Sequence, residues 1–425
     1  MIDRPEHDSR PEASLSMVDT LTAPGSRALE FGLYRDGDNN LDDVQAATLA
    51  QARQTSAADP SIEFTVEDTT ARRGFGPAHA LRTESYTIAG GKLSKTVALS
   101  PPHDMASRDN LARFVARTLD NAQRAGATET WIELVDHGGG DGGGLESDHG
   151  GGIMRADDIA AAIADGAARH AAAHPEDSER RVGGVLANEC LMATVAFSAA
   201  LSHAGVRYLA ASPETMLAPG VPTSVAEDIA QHAGDPAGMA RAVVARTMST
   251  AYATVYGAKF GPAAAFDVID LDPQKIATLE ASVTSLDAAL RSAASGSRDA
   301  RAAIREDARA IDGMVRFPGT RGMPWHADRP AIALYQTFAR DGRLAAGVRD
   351  AAGRAAAAVA ATVLGHQESN GFAPFGGVDY RDAAGPTVHF PISGPQIDAW
   401  APQLRETDNA FYKAVGAADL VKVVA

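Results

Sequence analysis

One thiol and one imidazole, each placed at the end of an apolar run, could together perform acyl transfer. Cys190 is the single cysteine among 425 residues and follows Val185-Leu-Ala-Asn-Glu. His137 follows Trp131-Ile-Glu-Leu-Val-Asp and precedes Gly138, Gly139 and Gly140. A thiol attacks carbonyl carbon as thiolate, and a neighbouring imidazole favours that form. The expected pair is therefore Cys190 as nucleophile and His137 as general base. The backbone N–H groups of Gly138 and Cys190 are the expected oxyanion donors, because glycine lets the chain approach closely. A helix read as beginning directly after Cys190 would add its positive end, worth about 0.3–1 kcal/mol to the anion. The plainer alternatives are a cysteine that fills core space and a histidine that belongs to a turn.

Something must carry both residues to one place. Ala28–Tyr34, Ile62–Val66, Trp131–Val135, Val182–Ala187 and Val206–Ala211 read as buried strands. Leu81–Ile88 and Thr96–Leu99 suggest a hairpin around Gly90-Gly91. Between the strands, segments from Leu41 to Ala52, from Ser107, from Asp157 to Ala173 and from Leu191 to His203 have helical spacing. Such alternation predicts a mostly parallel sheet covered on both faces. Functional groups then gather at the carboxyl ends of the strands, where His137 and Cys190 both fall. Later segments read as helical: Asp272–Ala294 with Asp272 as cap, Ala302–Met314, and two helices within Ala331–Leu364. Arg316–Arg329 reads as a loop, Pro386–Pro391 as a short strand, and Gln396–Leu404 and Asp408–Val415 as closing helices. The expected division is a tail over 1–27, an α/β domain over 28–270 and a helical extension over 271–425 that completes the sheet.

The formal net charge of −15 argues against nucleic acid or an anionic membrane as partner. A lone cysteine excludes an internal disulfide. The first residues lack an apolar signal core, and no run is long enough to span a bilayer, so a cytoplasmic protein is expected. Nine glycines between Gly138 and Gly152 read either as a mobile active-site loop or as a plain surface loop, and no Gly-Lys-Ser/Thr follows to make them a phosphate loop. The acidic turn Asp36-Gly-Asp38-Asn-Asn40-Leu-Asp42-Asp43 lacks the glycine and glutamate positions of an EF-hand. It is expected to be a turn with Asn40 or Asp42 capping the next helix. His103, His149, His203, His326, His366 and His389 show no metal spacing, so no metal site is expected. Trp325 and Trp400 read as packing residues, with Trp325 in a loop that could border a cleft.

Four segments together resemble the clostripain family, in the caspase-like clan of cysteine peptidases. They are Tyr34-Arg-Asp-Gly-Asp-Asn-Asn-Leu41, Asp136-His-Gly-Gly-Gly140, Asn188-Glu-Cys-Leu-Met-Ala193, and Ala211-Ser-Pro-Glu214 followed by Pro219-Gly220. Pro386–Pro391 and Trp400 add a weak likeness to the family's C-terminal portion. The resemblance implies a caspase-like three-layer α/β/α sandwich with added C-terminal helical elements, and His137 and Cys190 as the dyad. It implies a polypeptide substrate cut after a basic residue, self-cleavage in a nearby loop with Arg155 as the candidate, and in some relatives dependence on calcium. No other cofactor is expected, and the oligomeric state is left open. In the family's cysteine motif an aspartate lies two positions before the nucleophile and helps bind the basic side chain. Here that position is Asn188, and Glu189 replaces the usual alanine. A charged hydrogen bond is worth about 1.5–3 kcal/mol and a neutral one about 0.5–1.5, so selectivity for arginine is expected to weaken. Asn188 and Glu189 are the candidate substrate-binding residues, with Glu189 expected on the opposite face of its strand. Asp136 or Asp38 would orient nearby groups. Two rivals remain: a non-catalytic module that kept the fold, and a transpeptidase using the same dyad.

Overall fold

Strands buried along their whole length need cover on both faces. β1 (Leu29–Gly37) and β9 (Gly184–Asn188) are buried at every position, and β6 (Glu129–Val135) at all but its first. The computed structural model describes residues 27–72, 80–147, 152–216, 220–250, 264–311, 328–369, 372–373, 376–377, 383–392 and 409–424. Three strands, β1, β6 and β9, lie side by side and parallel at the centre of a ten-stranded sheet. On one side, β2 (Ile62–Arg72) runs parallel to β1 and β3 (Ala80–Ala89) antiparallel to β2. The short β4 (Lys92–Leu93) and β5 (Val97–Leu99) both pair with β3. On the other side, β10 (Tyr208–Ala211) is parallel to β9. Next comes β11 (Ala264–Asp270), antiparallel to β10, and then the strand Val363–Ser369 at the edge.

Helices close both faces. α2 (Arg108–Ala125), α3 (Ala156–Ala173) and α4 (Val195–His203) bury Leu111, Phe114, Val115, Ile159, Ile163, Phe197 and Leu201 in one core. The helices Pro273–Gly296, Ala331–Arg340 and Ala346–Ala360 extend that core. On the opposite face, α1 (Asp42–Ala58) and the helices Val225–Gln231 and Pro236–Thr250 cover a second core with Phe31, Leu33, Phe64 and Leu186. α2 and α3 can meet this closely because Gly166 carries no side chain: a Cβ there would fall 2.5 Å from Val115. The expected α/β/α sandwich is the fold observed.

Several expectations change. α4 begins at Val195, not directly after Cys190. Leu191 takes a left-handed conformation, with φ of 68°, so the chain turns before it coils, and the Thr194 side chain caps the helix through Phe197 N–H. The helix dipole therefore does not start behind the thiol. α1 begins after Leu41 with no side-chain cap; Asn40 and Asp42 are occupied elsewhere. The glycine-dense stretch is partly built, as a single helical turn (Gly140–Gly142) and a hairpin of β7 (Gly144–Ser147) and β8 (Gly152–Met154). Two sheet strands, β11 and Val363–Ser369, come from segments with no strand expectation: the first precedes the helix expected from Asp272, and the second starts where the expected helical stretch Ala331–Leu364 ends. His149, His326, Trp325, Trp400 and the Gln396–Leu404 segment lie outside the described residues, as does most of Arg316–Arg329.

Candidate active site

Register decides what meets at the carboxyl rim. Val135 of β6 pairs with Asn188 of β9, so Asp136 and His137 leave the sheet beside Glu189 and Cys190. The contact is tight: a Cβ on Gly138 would fall 2.1 Å from the Cys190 carbonyl oxygen and 2.9 Å from its nitrogen. Only glycine fits between these two chains.

The thiol does not have His137 as its hydrogen-bond partner. Cys190 Sγ accepts from Met216 N–H at 3.2 Å and faces Met216 O at 3.8 Å. Burial pushes the thiol up to about 11, with the Met216 bond opposing and neighbouring Glu189 adding to the rise. His137 Nε2–H donates to Asn40 Oδ1 at 2.7 Å. That tautomer leaves Nδ1 with the lone pair, ready to accept a proton. Asn40 is the positioning residue that reading for caps overlooked; a pair of asparagines beside an acidic turn was its only signal.

The rest of that turn ties the rim together. Asn39 donates through Nδ2 to Asp136 Oδ1 and to Glu146 O, while its own Oδ1 accepts from Leu41 N–H at 2.9 Å. Ser147 Oγ donates to Asp38 Oδ2 at 2.8 Å, and Asp36 Oδ1 accepts from Asp38 N–H at 2.9 Å. Asp42 pairs with Arg35 at 3.1 Å. So the turn after β1 grips both His137 and the hairpin beneath it. Asp38 and Asp136 act on the loops, not directly on the imidazole.

Asn188 and Glu189 point to opposite sides. Asn188 donates through Nδ2 to Glu133 Oε1 at 2.9 Å and to Val221 O at 3.2 Å, and its Oδ1 accepts from Val221 N–H at 2.9 Å. Glu133 is fully buried, its other oxygen has no hydrogen-bond partner among the described residues, and burial pushes it up to about 8. Glu189 is buried beneath the glycine loop, accepts from Leu145 N–H at 2.9 Å, and is also pushed up to about 8 by burial. Asp136 lies well above the usual carboxylate range, through burial and through Asp36 and Glu189 nearby. Arg155 sits just before α3, where the next residue, Ala156, is buried. Cutting there requires the first turn of α3 to open.

A calcium ion gathers about six to eight oxygens. Among the described residues, the carboxylates of this rim do not bring three ligand oxygens together.

The mostly parallel sheet covered by helices on both faces matches the caspase-like fold of the C11, or clostripain-type, cysteine proteases. One similar structure is an inactive zymogen C11 protease from Parabacteroides distasonis. It is 15% identical, with 93% of this chain and 99% of that one covered and a TM-score of 0.61. Another is the secreted C11 cysteine protease "iotapain" from Bacteroides thetaiotaomicron, at 14% identity, 92% and 100% coverage and a TM-score of 0.60. A secreted C11 protease of that organism in complex with an irreversible peptide inhibitor gives 13% identity, 92% and 99% coverage and a TM-score of 0.60. Identities this low establish a shared fold. No family model matches the chain, and no curated protein matches it. No helix among the described residues is long and apolar enough to cross a membrane.

Proposed function

We propose that this chain is a cysteine endopeptidase with His137 and Cys190 as its dyad. The observation that carries the reading is the register of β6 and β9, which sets the two residues side by side with Gly138 pressed against Cys190. His137 Nδ1 takes the proton of the thiol as Sγ attacks the scissile carbonyl carbon. The Gly138 and Cys190 N–H groups face the oxyanion. Collapse of the tetrahedral intermediate breaks the C–N bond, and the imidazolium gives its proton to the departing amine. Water, deprotonated by the same imidazole, then hydrolyses the thioester.

The substrate is a polypeptide, with a preference for a basic residue before the cut that is weaker than a carboxylate at position 188 would give. Both N–H donors of the Asn188 amide and one of its two oxygen lone pairs are used within the protein, and the acid it contacts, Glu133, is buried and pushed up to about 8 by that burial. Mapping cleavage sites in a peptide library, for the natural protein against Cys190→Ala, tests both parts. Loss of all cleavage in Cys190→Ala with a broad choice of residues before the cut is the expected result. Cleavage that survives in Cys190→Ala would refute the dyad, and strict arginine preference would refute the weakened selectivity.

One observation favours a second reading, a non-catalytic module of the same fold: the raised thiol held by Met216. A peptide chloromethyl or acyloxymethyl ketone separates the two. An enzyme labels Cys190 far faster than free cysteine reacts, whereas a binding module labels no faster.

A further inference from the structure

We propose a divalent transition-metal site, with zinc as its ion, formed by Asp120, His170 and His174 at the end of the sheet opposite the thiol. Asp120 lies in the last turns of α2, His170 in the last turn of α3, and His174 immediately after it. The two histidines are four residues apart, so one helical face carries both. One ligand atom from each of the three residues lies within 4.8 Å of the other two.

The arrangement has the two layers that metal-binding imidazoles require. The inner layer converges on one carboxylate: His170 Nδ1 is 2.7 Å from Asp120 Oδ1, and His174 Nε2 is 3.3 Å from the same oxygen. Ligands around a tetrahedral zinc stand about 3.3 Å apart, so the second distance fits and the first opens by a few tenths of an ångström as the ion replaces the hydrogen bond. In the outer layer, the remaining nitrogen of each ring faces a second carboxylate. His170 Nε2 is 3.4 Å from Asp177 Oδ2, and His174 Nδ1 is 3.5 Å from Glu176 Oε1. A carboxylate behind each metal-binding imidazole fixes its tautomer and orientation. Arg180 and Gln123 in turn hold Asp177 and Glu176.

Burial is graded as a site with an entry path needs. The His170 side chain is fully buried, while those of His174 and Asp120 are 32% and 35% exposed. Two nitrogens and one carboxylate oxygen suit zinc over calcium or magnesium, and the exposed side leaves a position for water. The site clamps α2, α3 and the turn Pro175–Asp177 near the amino ends of β6 and β9, so its effect falls on stability. Its sequence trace is His170-Ala-Ala-Ala-His174, completed by an aspartate fifty positions earlier, which no contiguous motif shows.

The test uses the full chain carrying Cys190→Ala, so that a thiolate cannot take the metal, alongside the natural protein. Metal-free protein is titrated with zinc chloride and, separately, calcium chloride, followed by calorimetry, metal analysis and melting temperature. One zinc per chain in both proteins, a melting temperature raised by zinc and not by calcium, and binding weakened roughly tenfold or more in His174→Ala and in Asp120→Ala are the expected results. Circular dichroism of each variant verifies that it folds. Absence of saturable zinc binding in Cys190→Ala overturns the proposal whatever the variants do. Unchanged zinc affinity in folded His174→Ala and Asp120→Ala overturns it equally.

Discussion

A thiol can be kept unreactive by the company its side chain keeps. Here Met216 occupies Cys190 Sγ, and burial raises the thiol to about 11. At pH 8 the thiolate fraction is then smaller than that of a free cysteine, whose ordinary value is about 8.5, by roughly two hundredfold. Iodoacetamide, too small to displace the Met216 segment, is expected to alkylate Cys190 about that much more slowly than free cysteine at pH 8, with the rate still climbing at pH 10. Rate measurement by intact mass checks this, and a plateau by pH 9 would contradict the raised thiol. The partner imidazole depends on one amide. Asn40→Ala removes the acceptor that fixes its tautomer, at a cost of about 0.5–1.5 kcal/mol for a neutral hydrogen bond. A fall in kcat of roughly two- to tenfold with KM little changed is the expected outcome. A changed KM at constant kcat would assign Asn40 to substrate binding.

The loop that follows β6 has a definite support at the scale of the element. Glu189, buried below it, accepts from Leu145 N–H, and Leu145 has φ of 57°. Gly144 stands so close that a Cβ would fall 2.4 Å from Glu189 Oε1. Burial raises this carboxyl to about 8, above its ordinary 4.5, so ionising it opposes folding. The penalty is absent below pH 4.5, grows as pH rises through that window, and is complete above about pH 8. Glu189→Gln keeps an oxygen for Leu145 N–H and cannot ionise. It is expected to match the natural protein in urea denaturation at pH 4.5 and to exceed it at pH 8.5; equal stability at both would show that the loop does not depend on this group.

The same elements show what can be read from sequence. β1, β6 and β9 were legible because a strand buried on both faces is a continuous apolar run ending abruptly in polar residues. Their register was not legible, yet register alone places Gly138 on Cys190. The delayed start of α4 was hidden because Leu191, Met192 and Ala193 are good helix formers; only the left-handed turn at Leu191 betrays the break. β11 and Val363–Ser369 were missed because Asp267, Asp270, His366 and Glu368 interrupt their apolar pattern. Asp267 and His366 satisfy each other across the two strands at 2.8 Å.

At the scale of the molecule, the dominant electrostatic feature is a set of carboxyl groups kept from ionising. Asp36 and Asp141 are pushed up to about 7, and Glu133, Glu189, Asp287 and Asp328 to about 8, in each case chiefly by burial. Each favours the folded state below its ordinary value and loses that advantage as pH rises toward its raised one, so the window runs from about pH 4 to about pH 8. The net charge of −15 adds repulsion in the same direction. The melting temperature is expected to be higher at pH 5 than at pH 8.5, as scanning calorimetry in matched ionic strength will show. A maximum above pH 7 would mean that these acids gain cations the structure does not contain.

The last stretch of the chain reaches back to the rim. Thr387 N–H donates to Ala193 O at 2.9 Å, three residues past the sulfur, and Thr194 bridges Thr387 in parallel. Its strand, Thr387–His389, pairs with Asp328–Pro330, whose Asp328 carboxylate lies against Gly140. The segment behind the thiol is therefore held by a strand 194 residues further along the chain. On the proposed function, a stop codon before Thr387 is expected to yield a protein that does not react with a peptide ketone, and equal labelling of the full and shortened proteins would show that this contact does not support the site. A late segment of the sequence, and not only the two strands that carry the pair, would then set whether the rim can form.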